Sequence, residues 1–372
     1  MKLKRAREIN LIGKEVVSID IGQHTTKIVT GIREKDFIGL THAISFPTPS
    51  DSYERGRIKN MSELKSVIEK ILQELNIKTR LALCSVESGE MVTREVMVPS
   101  GSNDDILKMI NYEIQQYMPV TLSEYMVLPK ILKQVNDNGV SKVHALVTAV
   151  PNEVVYSFYD LFKFLNLKPV VFDTQSNAID KLMSSDTGFN NDPNHADMSY
   201  AVLEIGYSHS NVSIFKDGKY LFSRLINQGA QSIDQNLVRF LNISIEEAQR
   251  YKHSISDLNQ HIDDPGKTFD LESEEAMEMK VLSVTRKTVD DWLGSVEKIM
   301  QYYITQNVNN RIDHVYLYGG ITGMNGFDQY VQNAYSMPAY MINNLTNVSC
   351  ESFVGGDDLS LYVNALGTMI RR

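Results

Sequence analysis

The stretch KEVVSIDIGQHTTKIVTGI, residues 14–32, reads as two β-strands joined by a short polar turn. Apolar, largely β-branched runs flank Asp20-Ile21-Gly22, and the turn carries Gln23, His24, Thr25 and Thr26 before Lys27. Acid-x-Gly between two strand-type runs marks a hairpin whose turn faces a ligand. A glycine at the end of a strand lets a phosphate approach the backbone with no Cβ in the way. The N–H groups and hydroxyls of such a turn hydrogen-bond phosphate oxygens. Lys27 adds positive charge beside them, and Asp20 is placed to hold a water on Mg²⁺, which prefers oxygen ligands. A single acid-x-Gly turn is more often an ordinary β-turn, so its weight depends on company.

That company is YAVLEIGYSHSNVSIFKDGKYLFSRLI, residues 200–226, which repeats the plan. Here the acid is Glu204, the glycine Gly206, and the turn runs through Tyr207, Ser208, His209 and Ser210. Two copies near the starts of the two chain halves predict a duplicated architecture with one site between the halves. Face to face, the turns would clamp one polyphosphate and its metal, with Asp20 and Glu204 as the metal-directed acids. A third stretch, YLYGGITGMNGF (316–327), is a strand running into Gly319-Gly320, with Thr322 and a helix after it. Its backbone offers a flat surface on which an adenine ring would lie.

Elsewhere, helical spacing marks 61–76, with Ser62 as a cap, and 153–167, ended by Pro169. A largely acidic segment follows residue 254 and turns helical towards Gln306, and residues 187–198 read as a linker rich in Asn, Asp and Pro. Between residues 80 and 153 the pattern is strand, strand, helix, strand, strand, a small α+β module.

Composition sets the outer bounds. At 372 residues the chain holds more than one domain. With 42% hydrophobic and 22% charged residues it has material for a sizeable core. A formal charge of -9 argues against bulk nucleic-acid binding, which needs a basic field. Cys84 and Cys350 lie far apart with no CxxC spacing, so a reduced cytoplasmic protein is expected. No run of about 18 apolar residues spans a membrane. The basic start MKLKRAREINLIGKEVV has no apolar run behind it, so it is not a secretory signal. Lys2, Lys4, Arg5 and Arg7 read as a solvated tail. The other reading is weak attraction to anionic lipid, about 1 kcal/mol per charge. The absence of HExxH, GxSxG, GxxxxGK[ST] and strand-linked GxGxxG patterns excludes the enzyme classes those motifs carry.

Taken in order, the motifs resemble the actin–sugar kinase–Hsp70 superfamily. Asp20-x-Gly22 is similar to its first phosphate loop, Glu204-x-Gly206 to its second and Gly319-Gly320 to its adenosine motif. Phe172-Asp173-Thr174-Gln175-Ser176-Asn177-Ala178 and Tyr362-Val363-Asn364-Ala365-Leu366-Gly367 resemble its two connecting helices. Within the superfamily the chain resembles the PilM family from about residue 14 to the end. The stretches INYEIQQYMPVTLSEYMVLPKIL (110–132), FSRLINQGAQSID (222–234), ISIEEAQRYK (243–252), YGGITGMNGFDQYV and VNALGTMIRR carry that likeness.

The resemblance implies an α/β, actin-like (ribonuclease H-like) fold of two lobes with a small inserted α+β domain in the first. A basic tail (1–13) would precede a first lobe of 14–79, 161–190 and 355–372. The insert would be 80–160. The second lobe would have a core of 197–231 and 312–354, and a subdomain of 232–311. ATP and Mg²⁺ would lie in the cleft, held by Asp20, Gly22, Gln23, His24, Thr25, Thr26 and Lys27, by Glu204, Gly206, Tyr207 and Ser208, by Gly229, and by Gly319, Gly320 and Thr322, with Asp20 and Glu204 on the metal.

The implied partner is the cytoplasmic N-terminal tail of a PilN-like membrane protein, received between the first lobe and the insert. Through it the chain would join the inner-membrane pilus platform and its assembly ATPase, peripheral to the membrane, with homo-oligomers possible. Glu204 stands where the family usually has Asp, Ile321 where a third Gly is common, and Gly229-Ala230 where a Gly pair is usual. Slow or absent hydrolysis is therefore expected, with Gln175 and Asp173 the candidates for a base by position. A helix-capping role for Asp173-Thr174 is the competing reading. The alternatives are an FtsA-like division protein, which would continue into an amphipathic anchor beyond Arg372, and a small-molecule kinase, which needs a catalytic acid in the first lobe.

Overall fold

The structure is a computed structural model. It describes residues 10–34, 37–117, 121–137, 139–183, 189–190, 197–261, 273–346, 348–349, 354–355 and 358–370. The cationic residues of the tail and most of the 187–198 linker lie outside the described residues.

Two sheets share one plan. In the first, β1 (Glu15–Ile21), β2 (Thr25–Arg33) and β3 (Ile38–Pro47) form an antiparallel meander. A small hairpin, β4 (Tyr53–Glu54) with β5 (Arg57–Ile58), follows it. β6 (Leu81–Val86) then adds in parallel on the free side of β1, and β10 (Lys168–Thr174) adds beside β6. In the second sheet, β11 (Ser199–Ile205), β12 (Ser210–Lys216) and β13 (Lys219–Ile226) repeat the meander. β14 (His314–Gly319) and β15 (Ala339–Met341) repeat the parallel additions beside β11. Short β16 (Val348–Ser349) and β17 (Val354–Gly355) pair with β3. The central strands read as near-continuous apolar runs because both faces are covered.

Helices α1 (Met61–Glu74) and α3 (Asn152–Phe164) cover the outer face of the first sheet, where Leu64, Ile68, Phe158 and Leu161 pack with Val17, Ile19 and Ile28. The cap of α1 is Asn60, whose Oδ1 accepts from the Glu63 N–H at 3.2 Å, and not Ser62. α3 ends at Leu165, ahead of Pro169. Helices α4 (Gln175–Met183) and α9 (Val363–Met369) lie between the two sheets. They share a core with Val16, Val29 and Leu83 of the first sheet and Tyr200, Val202 and Tyr316 of the second. Phe189, from the expected linker, is a core anchor: its ring stands edge-on to Tyr316 at 4.7 Å. The outer face of the second sheet carries α5 (Ala230–Leu241), α6 (Ile245–Ser254), α7 (Glu274–Thr305) and α8 (Phe327–Tyr335).

The inserted module is a three-stranded sheet, β7 (Val92–Pro99), β9 (Val140–Pro151) and β8 (Tyr125–Asp137) in that spatial order. Helix α2 (Asn103–Tyr117) presses Ile106, Ile110 and Ile114 onto one face. Pro129 is tolerated because β8 is an edge strand. The expected module, 80–160, is too wide at both ends. The Leu81–Val86 strand belongs to the first-lobe sheet between β1 and β10, and α3 packs under that sheet. Among the described residues no helix is long and apolar enough to cross a membrane.

Candidate functional site

Both acid-x-Gly turns close in the same way. The Gly22 N–H donates to the Thr25 carbonyl at 3.1 Å, and the Gly206 N–H to the His209 carbonyl at 3.0 Å. A Cβ on Gly22 would stand 2.7 Å from that Thr25 oxygen, and one on Gly206 2.8 Å from the His209 oxygen. Neither turn can take a side chain without moving. The two turns face each other across the cleft: the His24 and Tyr207 rings meet with centroids 4.9 Å apart.

Asp20, at the end of β1, is buried. Its Oδ1 accepts from the Ser85 hydroxyl at 2.7 Å and from the Gln175 amide at 3.5 Å, while Lys27 Nζ lies 3.6 Å from Oδ2. Glu204, at the matching end of β11, is buried too, and its Oε1 accepts from Asn364 Nδ2 at 2.6 Å. Asn364 in turn accepts from the Tyr318 hydroxyl at 3.1 Å. Burial and then the Asp20 charge push the Glu204 carboxyl up to about 7. Glu87, just past β6, is pushed to about 8 by burial and then by Glu204. Burial pushes His209 down to about 4, so it is neutral at physiological pH. His24 is lowered as well, by burial and then by Lys252.

The second turn is held from behind. The Ala230 and Gln231 N–H groups, opening α5, donate to the Gly206 and Tyr207 carbonyls at 3.0 and 2.8 Å. Gly229 makes that approach possible, since a Cβ there would lie 2.6 Å from both of those carbonyl oxygens. Gly319 sits at φ +106° against Ile205, whose oxygen would lie 2.5 Å from a Cβ. A Cβ on Gly320 would meet nothing within 4 Å, so open space lies beside its backbone. Thr322 lies in the turn after Gly320, but its side chain is outside the described residues. Beside the second turn opens a cavity of about 510 Å³, lined by Ser208, His209, Asn227, Gly229 and Arg55.

The fit to a metal-bound nucleotide can be judged on unmet polar atoms. Glu204 Oε2, Gln175 Oε1 and Gln23 Oε1 are buried with no hydrogen-bond partner. Such atoms are costly unless something completes them. Among the described residues no cluster of three or more His, Cys, Asp or Glu side chains could hold a metal ion. Mg²⁺ needs no such cage: one or two carboxylates plus phosphate and water suffice. Residues legible only in three dimensions are Ser85, Glu87, Tyr318 and Asn364. Their one linear signal is a polar group inside an apolar run.

The raised carboxyls give a pH prediction for the ligand-free protein. A carboxyl pushed above its ordinary value of 4.5 favours the fold while protonated. That contribution is complete below pH 4.5 and is lost as pH rises through about 7 for Glu204 and about 8 for Glu87. Thermal melts should therefore show stability falling by on the order of 3 kcal/mol between pH 6 and 9. Glu204→Gln should make the curve shallower, leaving the fall that belongs to Glu87, and an equally steep curve in that variant would refute the assignment.

A sequence profile of the family described as "Type IV pilus assembly protein PilM" matches residues 18–371. Among solved structures, a "PilM-PilN type IV pilus biogenesis complex" superposes with a TM-score of 0.78 at 16% identity, covering 96% of this chain and 98% of that one. The ethanolamine utilization protein EutJ from Carboxydothermus hydrogenoformans gives 0.55 at 11% identity, covering 98% and 92%. MreB5 of Spiroplasma citri bound to AMPPNP gives 0.51 at 12%, covering 96% and 95%. These likenesses establish the actin-like fold. With a match over nearly its whole length, the chain belongs to the PilM family of type IV pilus assembly proteins.

Proposed function

We propose that the chain is a cytoplasmic ATP-binding scaffold of type IV pilus assembly that receives the N-terminal tail of a PilN-like membrane protein. The observation that carries the nucleotide reading is the opposition of two like-built turns, with His24 against Tyr207 and buried Asp20 and Glu204 behind them. Asp20 and Glu204 would hold Mg²⁺, which supplies the charge neutralisation that lets a triphosphate sit between two acids. The chain's own groups do the rest. Backbone N–H groups of the turns and Lys27 bind phosphate oxygens. Ser85 and Asn364 fix the two carboxylates, and open Gly320 backs the base. Gln175 is a neutral amide tied to Asp20, and Asp173 is turned to Lys181 at 2.5 Å, so no unengaged base stands at either position. That favours binding with slow or absent hydrolysis.

For the partner, support comes from family membership and from the likeness to a PilM-PilN type IV pilus biogenesis complex. The insert's β7 and β8 are both edge strands. An added peptide would use such edges and apolar pockets beside them. The test is calorimetry of the purified chain with a synthetic peptide matching the cytoplasmic tail of the genomically adjacent PilN-like protein, with and without MgATP. Micromolar or tighter binding is expected. No heat in either condition would remove the partner, and robust sugar-dependent ATP turnover would replace the scaffold with a kinase.

A further inference from the structure

Lys130 stands on edge strand β8 of the insert, paired there with Leu146, yet its ammonium reaches groups of other parts of the molecule. Its ammonium ion-pairs with Asp180 and donates to Asn177 Oδ1 at 2.8 Å, both on α4. The same ammonium lies 5.3 Å from the centroid of the Tyr220 ring, on β13 of the second lobe. Asp180 and Tyr220 are buried, and the register of β8 shifts immediately after, between Ile131 and Lys133. A bulge of this kind re-aims side chains. Leu146 of the insert belongs to the core between the sheets, and Leu132 packs against it.

Helix α4 carries the connection onward. Asn177 Nδ2 donates to Asp173 Oδ1 at 2.7 Å, and the Asn177 N–H to Thr174 Oγ1 at 3.1 Å. The first residue of α4, Gln175, touches Asp20 in the cleft. One short helix therefore presents the cleft at its first residue and meets the insert's lysine through Asn177 and Asp180, within about the next turn and a half.

We propose that Lys130 is a latch that pins the insert at once to the connecting helix and to the second lobe, so that movement of one lobe against the other is transmitted to the insert. Three partners from two bodies fix the ammonium in space as a single surface ion pair would not. If the second lobe turns, Tyr220 slides away from α4 and the lysine cannot keep both. The insert must then follow one partner or come loose. That is a discrete two-arrangement element of the kind that coupling between sites requires. A merely structural ion pair would add stability and leave the insert's motion independent of the cleft.

Hydrogen exchange on the full-length protein tests this. Lys130→Met keeps the apolar stem and removes the charge. It should speed exchange of the β8 and β9 amides at least about tenfold while β2 amides of the first lobe stay unchanged. Lys130→Met removes the ion pair to Asp180 along with the charge, so Lys130→Met/Asp180→Asn is the companion variant, and its insert should remain just as loose. Equal exchange of the insert in wild type and both variants overturns the latch. A second arm rests on the nucleotide reading. MgATP should alter insert exchange in the wild type and not in Lys130→Met, although calorimetry shows both to bind it. An equal response in both proteins also overturns the latch. If calorimetry detects no uptake by either, the nucleotide reading fails, and the latch is decided by the ligand-free comparison.

Discussion

Asp20→Asn protein is expected to bind MgATP at least about 100-fold more weakly than the wild type and to melt at the same temperature or higher. The two effects have one cause. Asp20 and Glu204 are both buried, and the Asp20 charge helps raise the Glu204 carboxyl. Without a cation between them, the two acids work against the fold. Asparagine keeps an oxygen to accept from Ser85 and fills nearly the same volume, so the ends of β1 and β6 stay in place. Lys27 loses its partner at 3.6 Å, but it is partly exposed and can turn to water. Relief at Glu204 offsets that loss. What would vanish is one full charge facing the proposed divalent ion at a buried position. A loss of about 3 kcal/mol corresponds to the hundredfold stated. Calorimetry with MgATP and a thermal melt without it read the two halves separately. Unchanged affinity would remove Asp20 from the nucleotide site. A melting temperature lower by many degrees would make Asp20 a structural ion-pair member instead.

The sequence exposes this site because its parts are local. Each acid, its glycine and its turn lie within a few residues, and a two-residue step is enough to mark a strand end and the tight turn that only glycine fits. The duplicated sheets are legible for the same reason: a strand buried on both faces cannot hide an apolar run such as YAVLEI. The supports of the site are not local. Ser85 meets Asp20 because β6 lies beside β1, and Asn364 meets Glu204 because α9 runs between the sheets. The limits of the insert are hidden in the sequence for a related reason. Leu81–Val86 and Val92–Pro99 look alike as strands, and only pairing assigns one to the lobe and the other to the module. Phe189 is a further case, since one aromatic in an Asn- and Asp-rich stretch gives no sign that its ring completes a buried cluster with Tyr200 and Tyr316.

The largest loss of stability should come from Gly367→Val, a substitution about which the apolar pattern of VNALGTM gives no warning. At Gly367, α9 crosses α4 so closely that a Cβ would stand 2.3 Å from the Ala178 carbonyl oxygen and 2.6 Å from its carbon. Both are backbone atoms, so no side chain can swing aside. The backbone of Gly367 is not in the left-handed region, so what the position demands is space and not conformational freedom. Every residue of α9 is buried, and β1 is tied to it through the Ser18 hydroxyl, which donates to the Ala365 carbonyl at 2.7 Å. Moving α9 outward would strip contacts from both sheets. Ordinary overpacking costs about 1–3 kcal/mol. A backbone collision at the crossing of the two connecting helices should exceed about 4 kcal/mol. That is a large share of the 5–15 kcal/mol typical of a folded domain. Melting should fall by roughly 10 °C or more, or the protein should be recovered only in the insoluble fraction. Gly294→Ala in α7 is the control, because a Cβ there meets nothing within 4 Å and should be neutral or stabilising by up to about 1 kcal/mol. A Gly367→Val protein that melts within a few degrees of the wild type would mean that α4 and α9 can part at little cost. The crossing would then be a hinge that yields, and Asn364 could leave Glu204 without unfolding the chain.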